Sequence, residues 1–202
     1  MADLASHLTH AKALIFDCDG TLVDTPAVYA QAWQEAFAEA GHAMDLDWYH
    51  ERAGMSEHVL LEAFERLKGV SLDHERAVQT MRRSVLKGME SVTELSTVAA
   101  IARQCHGLKP MAVASGGPEI VVLASLKSTG LLPLFDTVVA LDAVGIAKPE
   151  PDLFFEAARR LQVSPGDCLV FEDSEQGFEA AQRAGMPVID VHALPERESV
   201  AT

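Results

Sequence analysis

Four short polar clusters, each following an apolar run, carry the residues of this chain that could do chemistry. In chain order they are Asp17-Cys18-Asp19-Gly20-Thr21, Ser115-Gly116-Gly117, Lys148-Pro149 and Glu172-Asp173-Ser174. Any one of them alone is more often a turn, a helix cap or a solvated loop. Together they supply carboxylates, a hydroxyl, flexible backbone N–H groups and an ammonium, which is the set that phosphoryl transfer requires.

The first cluster offers both a nucleophile and an acid–base group. A carboxylate can attack phosphorus to form an aspartyl-phosphate, and Asp17 is the candidate because it comes first at the end of its strand. Asp19 points the same way from a strand, so it would protonate the leaving alcohol and then deprotonate the attacking water. Two carboxylates aimed into one crevice repel each other, which predicts a cation between them.

That cation is predicted to be Mg²⁺, which prefers oxygen ligands, keeps several of its waters and lets an anionic nucleophile approach an anionic phosphate. The protein ligands would be Asp17, the backbone carbonyl of Asp19, and Asp173. A hydroxyl, backbone N–H groups ahead of a helix and a cation are suited to binding a phosphoryl group. The residues predicted to hold that group are Ser115, Gly116 and Lys148.

Short apolar runs predict the strands that must position these residues. The runs are Ala13–Asp17, Pro110–Ser115, Thr137–Leu141, Cys168–Asp173 and Pro187–Val191. Because they are apolar almost throughout, they are typical of strands covered on both faces of a parallel sheet. The helices predicted between them are Pro118–Thr129, Pro151–Leu161 and Ser174–Ala184. This alternation predicts a doubly wound, Rossmann-like α/β core.

Residues 26–88 interrupt the alternation with amphipathic helical patterns and no strand pattern. The clearest patterns are Ala27–Ala40, Glu57–Lys68 and Asp73–Lys87, each followed by a glycine. Ligands of open α/β sheets bind beyond the carboxyl ends of the strands, and an insert directly after the first strand would close over that place. We therefore predict a core formed by residues 1–25 and 89–202, with an inserted helical cap at 26–88.

The bulk composition limits the possible partners. The chain has 202 residues and a formal net charge of −14, which disfavours nucleic acid or an anionic membrane as a partner. Its three cysteines match no zinc pattern, the amino terminus does not resemble a signal peptide, and no segment reaches the length of a transmembrane helix. A small phosphorylated metabolite in the cytoplasm is the expected partner, while the oligomeric state is left open.

The motifs Asp17-Cys-Asp-Gly-Thr-Leu-Val-Asp24, Ser115-Gly, Lys148-Pro and Glu172-Asp-Ser174 resemble those of the haloacid dehalogenase superfamily. The resemblance runs from Leu14 to about Val191. It is closest to the branch with a helical cap after the first motif, which contains β-phosphoglucomutases and small sugar-phosphate phosphatases. The resemblance implies a Rossmann-like core and the roles given above for the matching residues, and it adds Glu172 as a further metal-site residue.

Two positions depart from that branch. The mutases carry an arginine directly after a Gly-Val-Ser in the cap, whereas here Gly54-Met55-Ser56 is followed by Glu57. Many sugar-phosphate members have histidine at the position of Tyr29. The expected function is therefore a phosphatase, for which the resemblance implies a sugar phosphate as substrate, and a sugar phosphomutase is the alternative.

Two further alternatives are weaker. A dehalogenase needs no metal and usually lacks the second aspartate, so Asp19 counts against it. A non-catalytic protein that binds a phosphometabolite would be expected to have lost a key residue, and each of the four motifs is intact in this chain.

Overall fold

The structure is a computed structural model that describes the backbone of residues 2–195 and the side chains of residues 4–195. It contains a five-stranded parallel sheet. The strands of this sheet are β1 (Ala13–Phe16), β4 (Met111–Ala114), β5 (Thr137–Val139), β6 (Cys168–Glu172) and β7 (Val188–Asp190). Their order in the sheet is β5-β4-β1-β6-β7. The predicted α/β fold with a parallel sheet is confirmed, and the ends of the predicted residue range, at 1 and 196–202, lie outside the described residues.

Strand β1 lies at the middle of the sheet, because its residues are apolar on both faces. Ile15 belongs to the core shared with Leu153 and Phe154 of a covering helix. On the opposite face, Phe16 stacks on Phe171 at 4.7 Å between ring centroids and meets the edge of Phe135 at 5.6 Å. Burial on both faces explains why the strands read as continuous apolar runs without alternation.

The strands end one or two residues earlier than the apolar runs suggest. Asp17, Ser115 and Asp173 each follow directly after the last residue of β1, β4 and β6. The N–H groups of Asp17 and Ser115 still donate to the neighbouring strands, at 2.9 Å each to the carbonyls of Phe171 and Val139. The chain leaves the sheet after these residues. The polar side chains are thus carried on loops at the carboxyl edge of a rigid sheet, where ligands of such sheets bind.

The helices confirm the strand–helix alternation and add elements that the sequence patterns did not indicate. They are α1 (Ala2–His10), α2 (Pro26–Glu39), α3 (Leu46–His50), α4 (Glu57–Lys68), α5 (His74–Gly88), α6 (Ser96–Cys105), α7 (Glu119–Ser128), α8 (Leu141–Val144), α9 (Asp152–Leu161) and α10 (Glu175–Arg183). Helices α1, α3, α6 and α8 were not predicted. None of the helices that the structure describes is both long enough and apolar enough to cross a membrane.

A small antiparallel ladder was also not predicted. It pairs β2 (Val23–Asp24) with β3 (Thr93–Glu94). Two residues are too few to show a strand pattern, and the partners are separated by the whole helical insert. The ladder joins the chain just before and just after that insert.

The chain divides into two compact units, one formed by residues 1–24 and 93–202 and the other by residues 25–92. The second unit has an aromatic core of its own. Phe37 stacks on Phe64 at 3.8 Å, and Trp33 and Trp48 each lie 5.5 Å from one of these two rings. The predicted insert 26–88 falls within this unit, and its action as a cap stays a prediction.

Candidate active site

Lys148 lies at the centre of the polar residues that the carboxyl edge of the sheet brings together. Its Nζ donates to Oδ1 of Asp17 at 2.6 Å and to Oε1 of Glu172 at 2.6 Å. Nζ also lies 5.0 Å from the ring centroid of Phe154, which is fully buried. Only 9% of the Lys148 side chain is exposed, with 9% for Asp17 and 1% for Glu172. The three side chains therefore form a buried charged group.

Glu172 uses both carboxylate oxygens. Oε1 accepts from Lys148, while Oε2 accepts from the backbone N–H of Asp173 at 2.6 Å and of Ser174 at 2.7 Å. The Ser174 hydroxyl donates to the same Oε2 at 3.1 Å and accepts from the N–H of Gly177 at 3.1 Å, which caps α10. Glu172 thus ties Lys148 to the start of α10, a role that the sequence motif did not reveal.

Asp173 is fixed by the first loop of the chain. The Thr21 hydroxyl donates to its Oδ1 at 3.2 Å. Gly20 has a φ of +83°, and a Cβ there would lie 2.2 Å from Oδ2 of Asp173. Both backbone conformation and space therefore require glycine at position 20. Thr21 had no role in the sequence-based expectations, although it belongs to the first motif.

Ser115 begins the turn after β4. Its Oγ accepts from the N–H of Gly117 at 3.0 Å. A Cβ on Gly117 would lie 3.4 Å from Oδ2 of Asp19, so the Asp19 carboxylate lies beside this turn. A Cβ on Gly116 would meet no described atom within 4 Å, which leaves room for a group approaching its backbone.

The charges in this group do not balance. Asp17, Glu172 and Asp173 each place one carboxylate oxygen within 4.8 Å of the others, and one ammonium serves them. Burial and the neighbouring carboxylates raise the pKa of Asp17 well above its usual value, although Lys148 opposes this. Burial and Glu172 raise the pKa of Asp173 to about 6. The site therefore holds three carboxylates against one ammonium, and this excess of negative charge disfavours ionisation of Asp17 and Asp173.

The pKa values of Glu172 and Lys148 shift in the directions that favour their charged forms. Burial acts to raise the pKa of Glu172, but Lys148 and the N–H groups of Ser174 and Asp173 outweigh it and hold that pKa below the usual value. Burial acts to lower the pKa of Lys148, but Asp17 and Glu172 outweigh it and raise that pKa. Lys148 and Glu172 are therefore a stable ion pair, and the deficit of positive charge falls on Asp17 and Asp173.

A hard divalent cation fits this donor set. Three carboxylates offer oxygen atoms close enough together to share one ion, and such oxygens are the ligands that Mg²⁺ prefers. A divalent charge would also correct the deficit at Asp17 and Asp173. The side chain of Asp19 is not part of this converging group.

Cys18, between the two aspartates, has no catalytic environment. It is buried, and its Sγ lies 3.6 Å from the Ser125 hydroxyl. Burial and the neighbouring Asp19 raise the pKa of the thiol well above its usual value, whereas a reactive thiol needs a lowered one. Cys18 is a core residue.

Comparison with known proteins matches the chain to a known family. The family model of the haloacid dehalogenase-like hydrolases matches residues 11–185. The fructose-1-phosphate phosphatase YqaB of Escherichia coli is 34% identical over 90% of this chain and 96% of its own. A phosphorylated carbohydrates phosphatase of Thermotoga maritima is 30% identical over 94% and 89%. The crystal structure of CbbY from Rhodobacter sphaeroides with phosphate superposes with a TM-score of 0.77, at 25% identity over 88% and 84%.

We expect Lys148→Met to destabilise the fold in the absence of divalent cations. Removing one partner of a buried ion pair leaves uncompensated charge and costs about 3–5 kcal/mol of unfolding free energy. Urea denaturation would measure the loss.

Lys12→Met is the matched control for this experiment. Lys12 pairs with Asp167 at 2.9 Å, but 69% of its side chain is exposed, so its loss should cost less than about 1 kcal/mol. Equal losses in the two variants would show that Lys148 is not the structural cation of the site.

Proposed function

This chain belongs to the haloacid dehalogenase-like hydrolase family, and we propose that it is a magnesium-dependent phosphatase acting through an aspartyl-phosphate. That it is a phosphoric monoester hydrolase follows from the family and from its phosphatase relatives. The observation that supports the mechanism best is the buried contact of Lys148 with Asp17 at 2.6 Å, beside two further carboxylates. We propose a sugar phosphate as substrate, since the two phosphatase relatives are named for phosphorylated sugars.

Asp17 is the proposed nucleophile. Lys148 holds its Oδ1, so Oδ2 is the atom that forms a bond to phosphorus while the bond from phosphorus to the ester oxygen breaks. The leaving oxygen takes a proton from Asp19. Water then attacks the phosphorus of the aspartyl-phosphate, gives its proton to Asp19 and releases Asp17 as a carboxylate.

Ser115, Gly116 and Lys148 are proposed to hold the phosphoryl oxygens. The Ser115 hydroxyl is already oriented by the N–H of Gly117, and the Gly116 backbone has open space beside it. Lys148 contributes a fixed positive charge, because Glu172 holds it from the other side. Charged and N–H donors fixed in advance stabilise the charge that develops during phosphoryl transfer.

Asp17, the backbone carbonyl of Asp19, and Asp173 are the proposed Mg²⁺ ligands, with Glu172 as a further member of the site. When bound, the ion neutralises charge on the carboxylates and on the phosphate. Both oxygens of Glu172 already have partners, so positioning Lys148 is its better supported role.

The second unit is proposed to act as the cap and to set specificity, which bears on the alternative of a sugar phosphomutase. A mutase must hold a second phosphate at its cap, and the negative charge of Glu57 would repel that phosphate unless a cation pairs with it. In the structure, Arg82 binds both oxygens of Glu57, at 2.9 and 2.8 Å, so this charge is neutralised. Arg52 and Arg66 are the arginines nearest to Glu57 in the sequence. Arg52 donates to the Trp48 carbonyl and to Glu51, and Arg66 lies 3.8 Å from Glu62. The phosphatase proposal therefore depends on these arginines being paired with groups of their own unit, and not on repulsion by Glu57.

A cytoplasmic location is part of the proposal. Cys18, Cys105 and Cys168 are all unpaired, as is usual for proteins of a reducing compartment.

We expect Asp17→Asn to abolish turnover. The substitution keeps the shape of the side chain but removes the attacking charge, and comparable nucleophile losses reach about a million-fold in kcat. Release of inorganic phosphate from an aryl phosphate would be measured.

Asp167→Asn is the control, because Asp167 pairs with Lys12 and plays no part in the proposed site. Near-normal turnover by Asp17→Asn would remove Asp17 as nucleophile. Such turnover would still exclude the alternative of a non-catalytic binding protein, because the chain would be shown to be an enzyme.

Chelation of divalent cations should abolish activity and lower the melting temperature, because three converging carboxylates would be left with one ammonium. Added Mg²⁺ should restore both, and Ca²⁺ should restore activity poorly, because it takes more ligands at longer distances. A chelator already saturated with Mg²⁺ is the matched control. Full activity in excess free chelator would exclude an obligatory metal.

Hydrolysis and phosphoryl transfer within the substrate can be separated with a hexose 1-phosphate. We expect inorganic phosphate to be released in proportion to the enzyme concentration. Arg52 and Arg82 already have partners within the second unit, so neither is available to hold a second phosphate. Phosphate release and hexose 6-phosphate formation would be followed together. Accumulation of the hexose 6-phosphate, stimulated by a trace of hexose bisphosphate, would establish the mutase instead.

A further inference from the structure

Gly177 occupies a position where the backbone gives no reason for glycine. It is the third residue of α10 and does not belong to the residues with positive φ. In an ordinary helical conformation alanine is favoured over glycine, because glycine loses more backbone entropy on folding. The reason for glycine must therefore lie in the space around position 177, which a neighbouring side chain could occupy.

The space next to Gly177 is filled by the carboxyl group of Glu172. A Cβ at position 177 would lie 1.8 Å from Oε1, 1.9 Å from Cδ and 2.6 Å from Cγ of Glu172. Non-bonded carbon and oxygen atoms do not approach this closely, since their optimal separations are about 3.5 Å or more. Any side chain at position 177 would therefore require Glu172 to move.

Glu172 cannot move without loss. Its side chain is 1% exposed, and its oxygens accept from Lys148, from two backbone N–H groups and from the Ser174 hydroxyl. Displacing it would leave these donors unsatisfied in a buried place and release Lys148 from one of its two anions.

We propose that Gly177 is a positioning residue: the absence of a Cβ there allows Glu172 to hold Lys148 against Asp17. Gly177 itself touches no reacting group. Its effect on catalysis rests on the proposed phosphatase function, whereas its effect on the Glu172 conformation does not. The two can therefore be tested separately.

The structural test is a double-mutant cycle with Gly177→Ala, Glu172→Ala and the double variant, followed by thermal unfolding. In the native background, Gly177→Ala should lower the melting temperature by roughly 4 °C or more, because Glu172 is displaced. In the Glu172→Ala background the obstacle is gone, so the same substitution should raise the melting temperature by up to about 3 °C through helix propensity.

Gly166→Ala is the matched control, because the only described atom within 4 Å of a Cβ there, apart from those of its chain neighbours, is the Gly185 carbonyl oxygen at 4.0 Å. It should change the melting temperature equally in both backgrounds. The proposal predicts that the change in melting temperature caused by Gly177→Ala has opposite signs in the two backgrounds. A loss of the same size in both backgrounds would overturn it. If Gly177→Ala does not fold, the proposal requires the double variant to fold at least as stably as Glu172→Ala, and failure of both would also overturn it.

The functional test follows kcat and competitive inhibition by inorganic phosphate. Gly177→Ala and Glu172→Ala should each lower kcat on the order of 10- to 100-fold and weaken phosphate inhibition, because Lys148 loses its anchor. The double variant should be no worse than Glu172→Ala alone. Unchanged phosphate inhibition in Gly177→Ala, or losses that multiply in the double variant, would contradict the positioning role.

If the wild-type chain has no phosphatase activity, the proposed function fails while the melting-temperature reversal still decides the role of Gly177.

Discussion

One ammonium group buried among carboxylates is the interaction on which the site depends. Lys148 contacts Asp17 and Glu172 at 2.6 Å each, and Asp173 lies in the same group. Burying such charges is unfavourable unless they are paired and hydrogen-bonded, so the surrounding structure must hold them in place. The parallel sheet provides that support, because β1 and β6 are neighbours and end at the same edge. The remaining imbalance of charge makes the group suitable for a divalent cation.

Two glycines make this density of carboxylates possible, for different physical reasons. Gly20 takes a positive φ that disfavours side chains, and it also leaves room for Asp173. Gly177 has an ordinary helical backbone, and only the space that it leaves for Glu172 accounts for it. Glycine has a low helix propensity, and Gly177 nevertheless lies in the first turn of α10, beside the charged site. Such local conflicts are expected where function constrains a fold.

The second unit shows a different balance of forces. Its interior is stabilised by stacked aromatic rings, in particular Phe37 on Phe64. Its charged residues pair locally, and the bidentate contact of Arg82 with Glu57 is 40% and 27% exposed at its two side chains. Such a pair adds little to stability, but it fixes the position of both side chains. If this unit selects among sugars, it does so with a surface on which most charged side chains already pair with one another.

The sequence by itself determined the fold class and the chemical character of the site. Apolar runs that alternate with capped helical patterns specify a parallel α/β sheet, because burial on both faces and helical periodicity are local properties. The polar clusters could be located for the same reason, since each directly follows an apolar run or its loop. Short elements such as α3 and the β2–β3 ladder could not, because they contain too few residues to form a pattern.

Only the tertiary structure decided how the charged groups are paired. That Glu172 holds Lys148, that Arg82 neutralises Glu57, and that Gly177 makes room for a carboxylate are contacts set by side-chain conformation. Lys148 and Asp17 are 131 positions apart in the chain. No local pattern encodes such a contact, because it depends on where several strands end relative to one another and on which side chains then compete for the same space.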